Sequence, residues 1–329
     1  MEHRLLAIVG PTATGKSEVG LLLAQALGGE IVSADSMQVY RGMDIGTAKP
    51  TAEQRARLPH HLIDIVEPDA PFSVADYRER ANAALADIWS RGRQPILVGG
   101  SGLYIRAVLY EMDFAVPPDP ELRQQLASEA DAHGLGRLYQ RLRATNPDAA
   151  ARIHPNDRKR IIRALEVAQH AAAGKRPVDH RRGLRYNDTG RPFPRASSAL
   201  ASAPPKLRFP AVQFGLIVAR DELYRRIEAR TEAMVSAGLV HEVRRLLAQG
   251  YDERLVSMKG LGYAQMLPHV RGETSLDEAV RVLKRDTRRF AKRQLTWFRA
   301  DRAIRWIDVE QAGGPPGAAL AILKEWRLG

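Results

Sequence analysis

The 329 residues contain no cysteine. That absence excludes disulfide scaffolds, zinc–thiolate sites, iron–sulfur clusters and thiol nucleophiles. No stretch approaches the roughly 18 apolar residues that a membrane helix needs. The opening segment MEHRLLAIVGPT has too short an apolar run for a secretory signal before it enters a glycine loop. A cytoplasmic protein is therefore expected. His60-His61 and His154 lack histidine or acidic neighbours at ligand spacing, which argues against a metal cluster there. No internal repeat or zipper pattern argues for assembly, so a monomer is expected. With 44% hydrophobic and 27% charged residues, what remains is an ordinary globular composition. The length suits about two domains.

Positive charge is in excess: 50 Lys+Arg stand against 38 Asp+Glu, a net +12. Residues 152–195 hold twelve cations and four acids, and residues 281–305 hold ten and two, so each block carries +8 and the rest of the chain −4. The usual fate of such runs is a solvated helix face. Val280, Leu283, Thr287, Phe290, Leu295 and Phe298 do fall near helical spacing, with the arginines opposite. Two such blocks fit a polyanion better, because clustered Lys/Arg release counterions when they neutralise phosphates. Charge alone leaves both readings open.

Leu5–Val9 is a short apolar run that leads into a glycine loop. A helix pattern follows, with Val19, Leu22, Leu23 and Ala26 on one stripe and Gly28-Gly29 as its stop. Ile31–Ala34 and His61–Val66 read as strands. Ser73 caps a helix to about Ser90, and Pro95–Val98 is a buried strand that ends in Gly99-Gly100-Ser101-Gly102. Helical patterns dominate from Pro117 to about Ala173, and 174–211 is an Arg/Pro/Ser/Ala-rich excursion. Val212–Val218 restores a strand, long helices follow, and Ile304–Ile307 is a last strand. Alternating strands and helices predict an α/β fold with a parallel sheet. The expected layout is a P-loop NTPase-like core over 1–111, a basic helical insertion domain over 112–211, and core completion with basic helices over 212–329.

Gly10-Pro11-Thr12-Ala13-Thr14-Gly15-Lys16-Ser17 fits G-x-x-x-x-G-K-S and lies between a predicted strand and a predicted helix, the context that gives the motif meaning. Glycines let backbone N–H groups close around phosphate oxygens at a helix N-terminus. Lys16 would neutralise the outer phosphate and the Ser17 hydroxyl would ligate Mg²⁺. A di- or triphosphate ligand follows. The reaction does not, because the strand Pro95–Val98 is followed by no acid that could position water. Asp35, in Ser33-Ala34-Asp35-Ser36-Met37-Gln38, is the clearest strand-end carboxylate. It is open to three roles: metal partner, general base, or cap of a loop or helix.

GPTATGKS (10–17), ADSMQVYRGMDIGTAKP (34–50), GGSGLY (99–104), HPNDRKRIIRALE (154–166), GLGYAQM (260–266) and KRQLTWFR (292–299) together resemble the tRNA dimethylallyltransferase family, in its order and over nearly the whole chain. Ser101 stands where that family usually has Thr, which keeps the hydroxyl. With no cysteine, the zinc-finger extension of eukaryotic relatives is not expected, which favours the bacterial type.

The resemblance implies transfer of a dimethylallyl group from dimethylallyl diphosphate to N6 of adenosine 37 in the tRNA anticodon stem-loop. The phosphate loop would then hold a leaving group, so no water-positioning acid is needed. Asp35 becomes the expected general base. Lys16, Mg²⁺ on Ser17, Ser101 and an arginine become the expected electrostatic partners of the diphosphate. Arg230 is the first choice of arginine and Arg226 the second, both in RIEAR (226–230). The implied tRNA contacts are Asp35-Ser36-Met37-Gln38, with Gln38 reading an adenine edge; Arg123; Lys159-Arg160-Ile161-Ile162-Arg163; Lys259-Gly260-Leu261-Gly262-Tyr263-Ala264; and Lys292-Arg293-Gln294-Leu295-Thr296-Trp297-Phe298-Arg299. Trp297 and Phe298 would stack on unpaired bases or belong to the core. The two basic blocks would clasp one RNA hairpin. Two rivals remain: a P-loop kinase of a nucleoside or small molecule, which leaves the basic blocks idle, and an RNA-binding NTPase, which needs the missing acid.

Overall fold

The computed structural model describes residues 3–112, 119–172 and 206–328. The chain divides into two compact units, Met1–Tyr110 with Leu207–Gly329, and Glu111–Lys206. The chain thus re-enters the first unit at Leu207, a few residues before the expected 212. Most of the 174–211 excursion, residues 174–205, lies outside the described residues.

The first unit is built on six parallel strands: β1 (Leu5–Val9), β2 (Glu30–Ala34), β3 (His60–His61), β4 (Pro95–Gly99), β5 (Ala211–Ile217) and β6 (Ile304–Asp308), in the order β3-β2-β4-β1-β5-β6. β1 is central and buried along its length. Its alternation sorts side chains to two layers. Leu5, Ala7 and Val9 join a core with the helices Val74–Ser90, Gly102–Leu109, Leu239–Ala248, Tyr263–Val270 and Leu276–Arg299. Leu6 and Ile8 join Val19 and Leu23 of the helix Lys16–Leu27 and Ile322 of the helix Gly314–Leu328. Covering both faces of a parallel sheet is what its continuous apolar strands require. Among the described residues no helix is long and apolar enough to cross a membrane.

One expected strand is mostly absent. His61–Val66 contributes only His61 to β3, because Leu62 (φ 66°) and Asp64 (φ 57°) sit in the left-handed region that no strand accommodates. Polar bonding holds this bend: Asp64 takes ion pairs from buried Lys49 and from Arg55. The Ser73 cap is present as a reciprocal capping box with Asp76, opening the helix Val74–Ser90.

The second unit packs the helices Pro120–His133, Leu135–Thr145, Pro147–Ala150 and Arg158–Ala172 around Leu126, Leu138, Leu142, Ile161 and Leu165. Glu166 is fully buried in it. Its carboxylate accepts from the Asp119 N–H at 2.6 Å, from Arg123 through two bonds of 3.0 Å, and from Arg163 at 2.5 Å. Those donors hold it ionised, below the usual carboxylate range, against the opposing effect of burial.

Candidate active site

The phosphate loop leaves the end of β1 and delivers Lys16 to the first turn of the helix behind it. Gly10 has φ 139°, and a Cβ there would stand 2.6 Å from the Leu216 carbonyl oxygen of β5, so only glycine passes. The Lys16 ammonium donates to the Pro11 carbonyl. Its pKa is pushed down to about 7, first by removal from water and second by the Arg230 guanidinium, while Asp35 opposes both. The Thr14 hydroxyl donates to the same carbonyl at 2.9 Å, which closes the loop on itself. Ser17 is exposed at the mouth of the loop.

β4 beside β1, and β2 beyond it, lead to the remaining candidate groups. One Asp35 carboxylate oxygen accepts from the Met37 N–H at 2.9 Å, the loop bond open to a short acidic side chain. The carboxylate faces a cavity and makes no other hydrogen bond among the described residues. Ser101 sits at the start of the helix Gly102–Leu109 without capping it. Its hydroxyl accepts from the Ser36 N–H at 2.9 Å and donates to the Ser36 hydroxyl at 3.1 Å, tying the loops after β2 and β4 together.

The cavity is about 580 Å³. Thr12, Asp35, Ser36, Ser101 and Arg230 are among its polar lining. Met37, Ile227, Met234, Leu261, Leu283 and Phe290 give it an apolar wall, and Lys259, Arg289 and Arg293 supply cations. Ile227, Arg230, Thr231 and Met234 occupy one face of the helix Arg220–Ser236 at spacings of three, four and seven. Arg230 donates to the Thr12 hydroxyl at 3.1 Å. Arg226 is off that face, paired with Glu222, and is not part of the cavity lining. The two candidate arginines are separated here: Arg230 bonds to the phosphate loop and Arg226 does not.

A family model described as IPP transferase matches residues 38–301. The chain belongs to the IPP transferase family. A tRNA dimethylallyltransferase of Desulforudis audaxviator is 52% identical over 97% of this chain and 96% of its own. The tRNA isopentenylpyrophosphate transferase of Bacillus halodurans is 40% identical, with a TM-score of 0.64 over 93% of this chain and 90% of that one. A eukaryotic dimethylallyltransferase acting on tRNA, 22% identical, shares the fold at a TM-score of 0.75 over 98% of this chain and 79% of that one. Membership makes this chain a transferase built on the P-loop-like parallel sheet described above.

The segments that resemblance assigned to tRNA separate by burial. Ile161, Ile162, Tyr263 and Phe298 are core residues, which removes them from direct RNA contact. The Tyr263 hydroxyl donates to Glu242 at 2.6 Å, and the same buried carboxylate accepts from the N–H groups of Asp44, Ile45 and Gly46. Trp297 packs half-buried against the core; Leu295, Thr296 and Ala264 are also half-buried. The Gln38 amide is bonded at both ends, accepting from Ser33 at 2.9 Å and donating to the carbonyls of Thr47 and Ala48. It holds the loop wall and does not present a reading edge. Met37, Lys259, Gly260, Leu261 and Gly262 line the cavity. Lys292, Arg293 and Arg299 are exposed along the helix Leu276–Arg299. Arg123 and Lys159–Arg163 belong to the second unit, where Lys159 is exposed and Arg123 and Arg163 are bound to Glu166.

Gln294 falls in the same segment but is buried. It accepts from the Thr12 N–H at 2.9 Å and donates to the Gly100 carbonyl at 2.9 Å. Nothing in the charge pattern marks it. The one available signal was its place between exposed cations on a helix whose apolar stripe runs through Phe290 and Phe298.

Proposed function

We propose that the chain transfers a dimethylallyl group from dimethylallyl diphosphate to N6 of adenosine 37 in the tRNA anticodon stem-loop. The observation that carries this reading is the meeting of phosphate loop, Arg230, Ser101 and a strand-end carboxylate around one cavity with an apolar wall. The apolar lining suits a five-carbon allylic group; a nucleoside kinase would use it for a base but would leave the cations Lys259, Arg289 and Arg293 at the same cavity idle.

In the reaction the allylic C–O bond breaks and its electron pair leaves with the diphosphate, while N6 forms the new C–N bond. The adenine amine is a weak nucleophile because its lone pair is delocalised into the ring. The free oxygen of Asp35 accepts the N6 hydrogen, orients the amine and takes its proton as the bond forms. Charge grows on the diphosphate as the bond breaks. Lys16 and Arg230, held close to each other and partly buried, meet that charge with positive groups already in place. The donor set also fits Mg²⁺, which keeps several waters and takes few protein oxygens beside substrate phosphates. The Ser17 hydroxyl would hold it, and it would supply further neutralisation of the leaving group. The base must leave its stack to reach Asp35, and Lys259, Arg289 and Arg293 line the same cavity to meet the phosphates that flank it.

The test is direct. Purified protein with Mg²⁺, dimethylallyl diphosphate and unmodified anticodon stem-loop RNA yields a prenylated RNA by mass spectrometry. No adduct, accompanied by phosphate release from ATP, overturns the reading in favour of a kinase or NTPase.

A further inference from the structure

Gln294 differs from the cations around it. Lys292 and Arg293 are exposed, while the Gln294 amide is buried and bonded to both glycine loops, with Oε1 on the Thr12 N–H and Nε2 on the Gly100 carbonyl. Each end continues into the reaction groups. Thr12 carries the hydroxyl that receives Arg230. Gly100 precedes Ser101, which fixes Ser36 next to Asp35. We infer that Gln294 is a positioning residue: its amide sets the spacing between the phosphate loop and the Gly99–Ser101 loop, and through them aligns Arg230 on the leaving group.

Two features separate this from an ordinary buried hydrogen bond. The roots of the two loops are already joined in the sheet, where Val9 of β1 is the register partner of Gly99 of β4. The amide therefore acts on the loop tips and adds little to holding the strands. The site also needs an acceptor and a donor on one rigid plane. Among side chains of this length only glutamine supplies both: glutamate lacks the donor and methionine lacks both. A Cβ on Gly100 would come within 2.4 Å of the amide nitrogen, so the fit leaves no slack.

The inference rests on the proposed transfer, and its test keeps the two apart. Full-length wild type, Gln294→Met and Gln294→Glu are compared for calorimetric binding of inorganic diphosphate with Mg²⁺, for binding of anticodon stem-loop RNA, and for prenylation. Both variants are expected to lose about tenfold in diphosphate affinity, the order of one hydrogen bond to a poised group. They should lose about 100-fold in kcat, the order expected for misplacing a reacting group, with RNA affinity unchanged within about twofold. Gln294→Glu decides if Gln294→Met fails to fold. RNA affinity falling while diphosphate affinity holds would return Gln294 to the RNA contacts and overturn the inference, as would wild-type values throughout. A wild type that forms no prenyl adduct overturns the proposed transfer, while the diphosphate comparison still judges Gln294.

Discussion

Around the phosphate loop, the inner groups of the site are bound to the chain before any substrate arrives: the Thr12 hydroxyl to Arg230 and its N–H to Gln294, Ser101 to Ser36, Asp35 to Met37. Along the charged face of the helix Leu276–Arg299 the arrangement is mixed. Arg281, Lys284, Arg285 and Arg288 are paired with Glu278, Glu232, Asp286 and Glu228, and farther on Arg305 is paired with Glu325. Lys292, Arg293, Arg299 and Arg302 have no acidic partner among the described residues. The block of +8 is thus a paired stretch followed by a short run of free cations. The contrast matches what the proposed reaction would ask of each group. Stabilising charge that develops during bond breaking demands groups already in place. Gripping a phosphate backbone demands charge that is free to adjust.

If the inner groups are preorganised, changes there should reduce turnover and spare RNA binding. Asp35→Asn keeps the loop bond to Met37 but cannot take a proton. Its kcat should fall by about 10²–10⁴, the range for a lost general base, with stem-loop affinity unchanged in a gel-shift titration. Equal loss of affinity would make Asp35 a structural residue and erase the contrast. Arg230→Gln should lower kcat by about 10²–10³, whereas Arg226→Gln, which breaks only a pair with Glu222 on the same helix, should stay within about twofold. Similar losses at both positions would contradict their separation around the cavity.

Lys16 sharpens the comparison through pH. Its folded pKa of about 7 lies below its ordinary value, so just above neutrality the free protein carries much of it uncharged. Bound diphosphate favours the ammonium and raises that pKa. Binding therefore takes up a proton in the window between the two values, and affinity falls as pH rises through it. Calorimetry of diphosphate binding at about pH 8, in buffers of different ionisation enthalpy, should show this uptake. Lys16→Arg, charged throughout the range, should show less of it. Equal uptake by both proteins would remove Lys16 from the linkage.

How much of this was legible in the chain depended on the range over which each residue acts. The phosphate loop, the Ser73 cap and the alternation of β1 are local, and their residues dictate them. Asp35 was visible as a strand-end carboxylate because the parallel sheet gathers strand ends at one edge. The bend at Leu62–Asp64 was not, since it depends on Lys49 and Arg55 reaching Asp64 from elsewhere in the chain. Nor was the dual bond of Gln294, whose partners lie 282 and 194 residues away. Charge counting gave the right surplus in the wrong distribution, because four of the neutralising acids, Glu228, Glu232, Glu278 and Glu325, fall outside the block they neutralise.

That distribution leads to the smallest effect and the most discriminating one. A cation already held by an acid neutralises a phosphate only in part and so displaces few of the counterions condensed on the RNA; a free cation displaces its full share. Lys292→Ala and Arg299→Ala should each weaken stem-loop binding only severalfold, yet each should flatten the slope of log affinity against log salt by up to about one. Arg281→Ala, which removes a partner of Glu278 on an exposed face, should leave that slope nearly unchanged. All three variants should keep the kcat of the parent. If Arg281→Ala flattens the slope as much as Lys292→Ala, the ion pairs along the helix open on binding, and the whole block acts as one polycation.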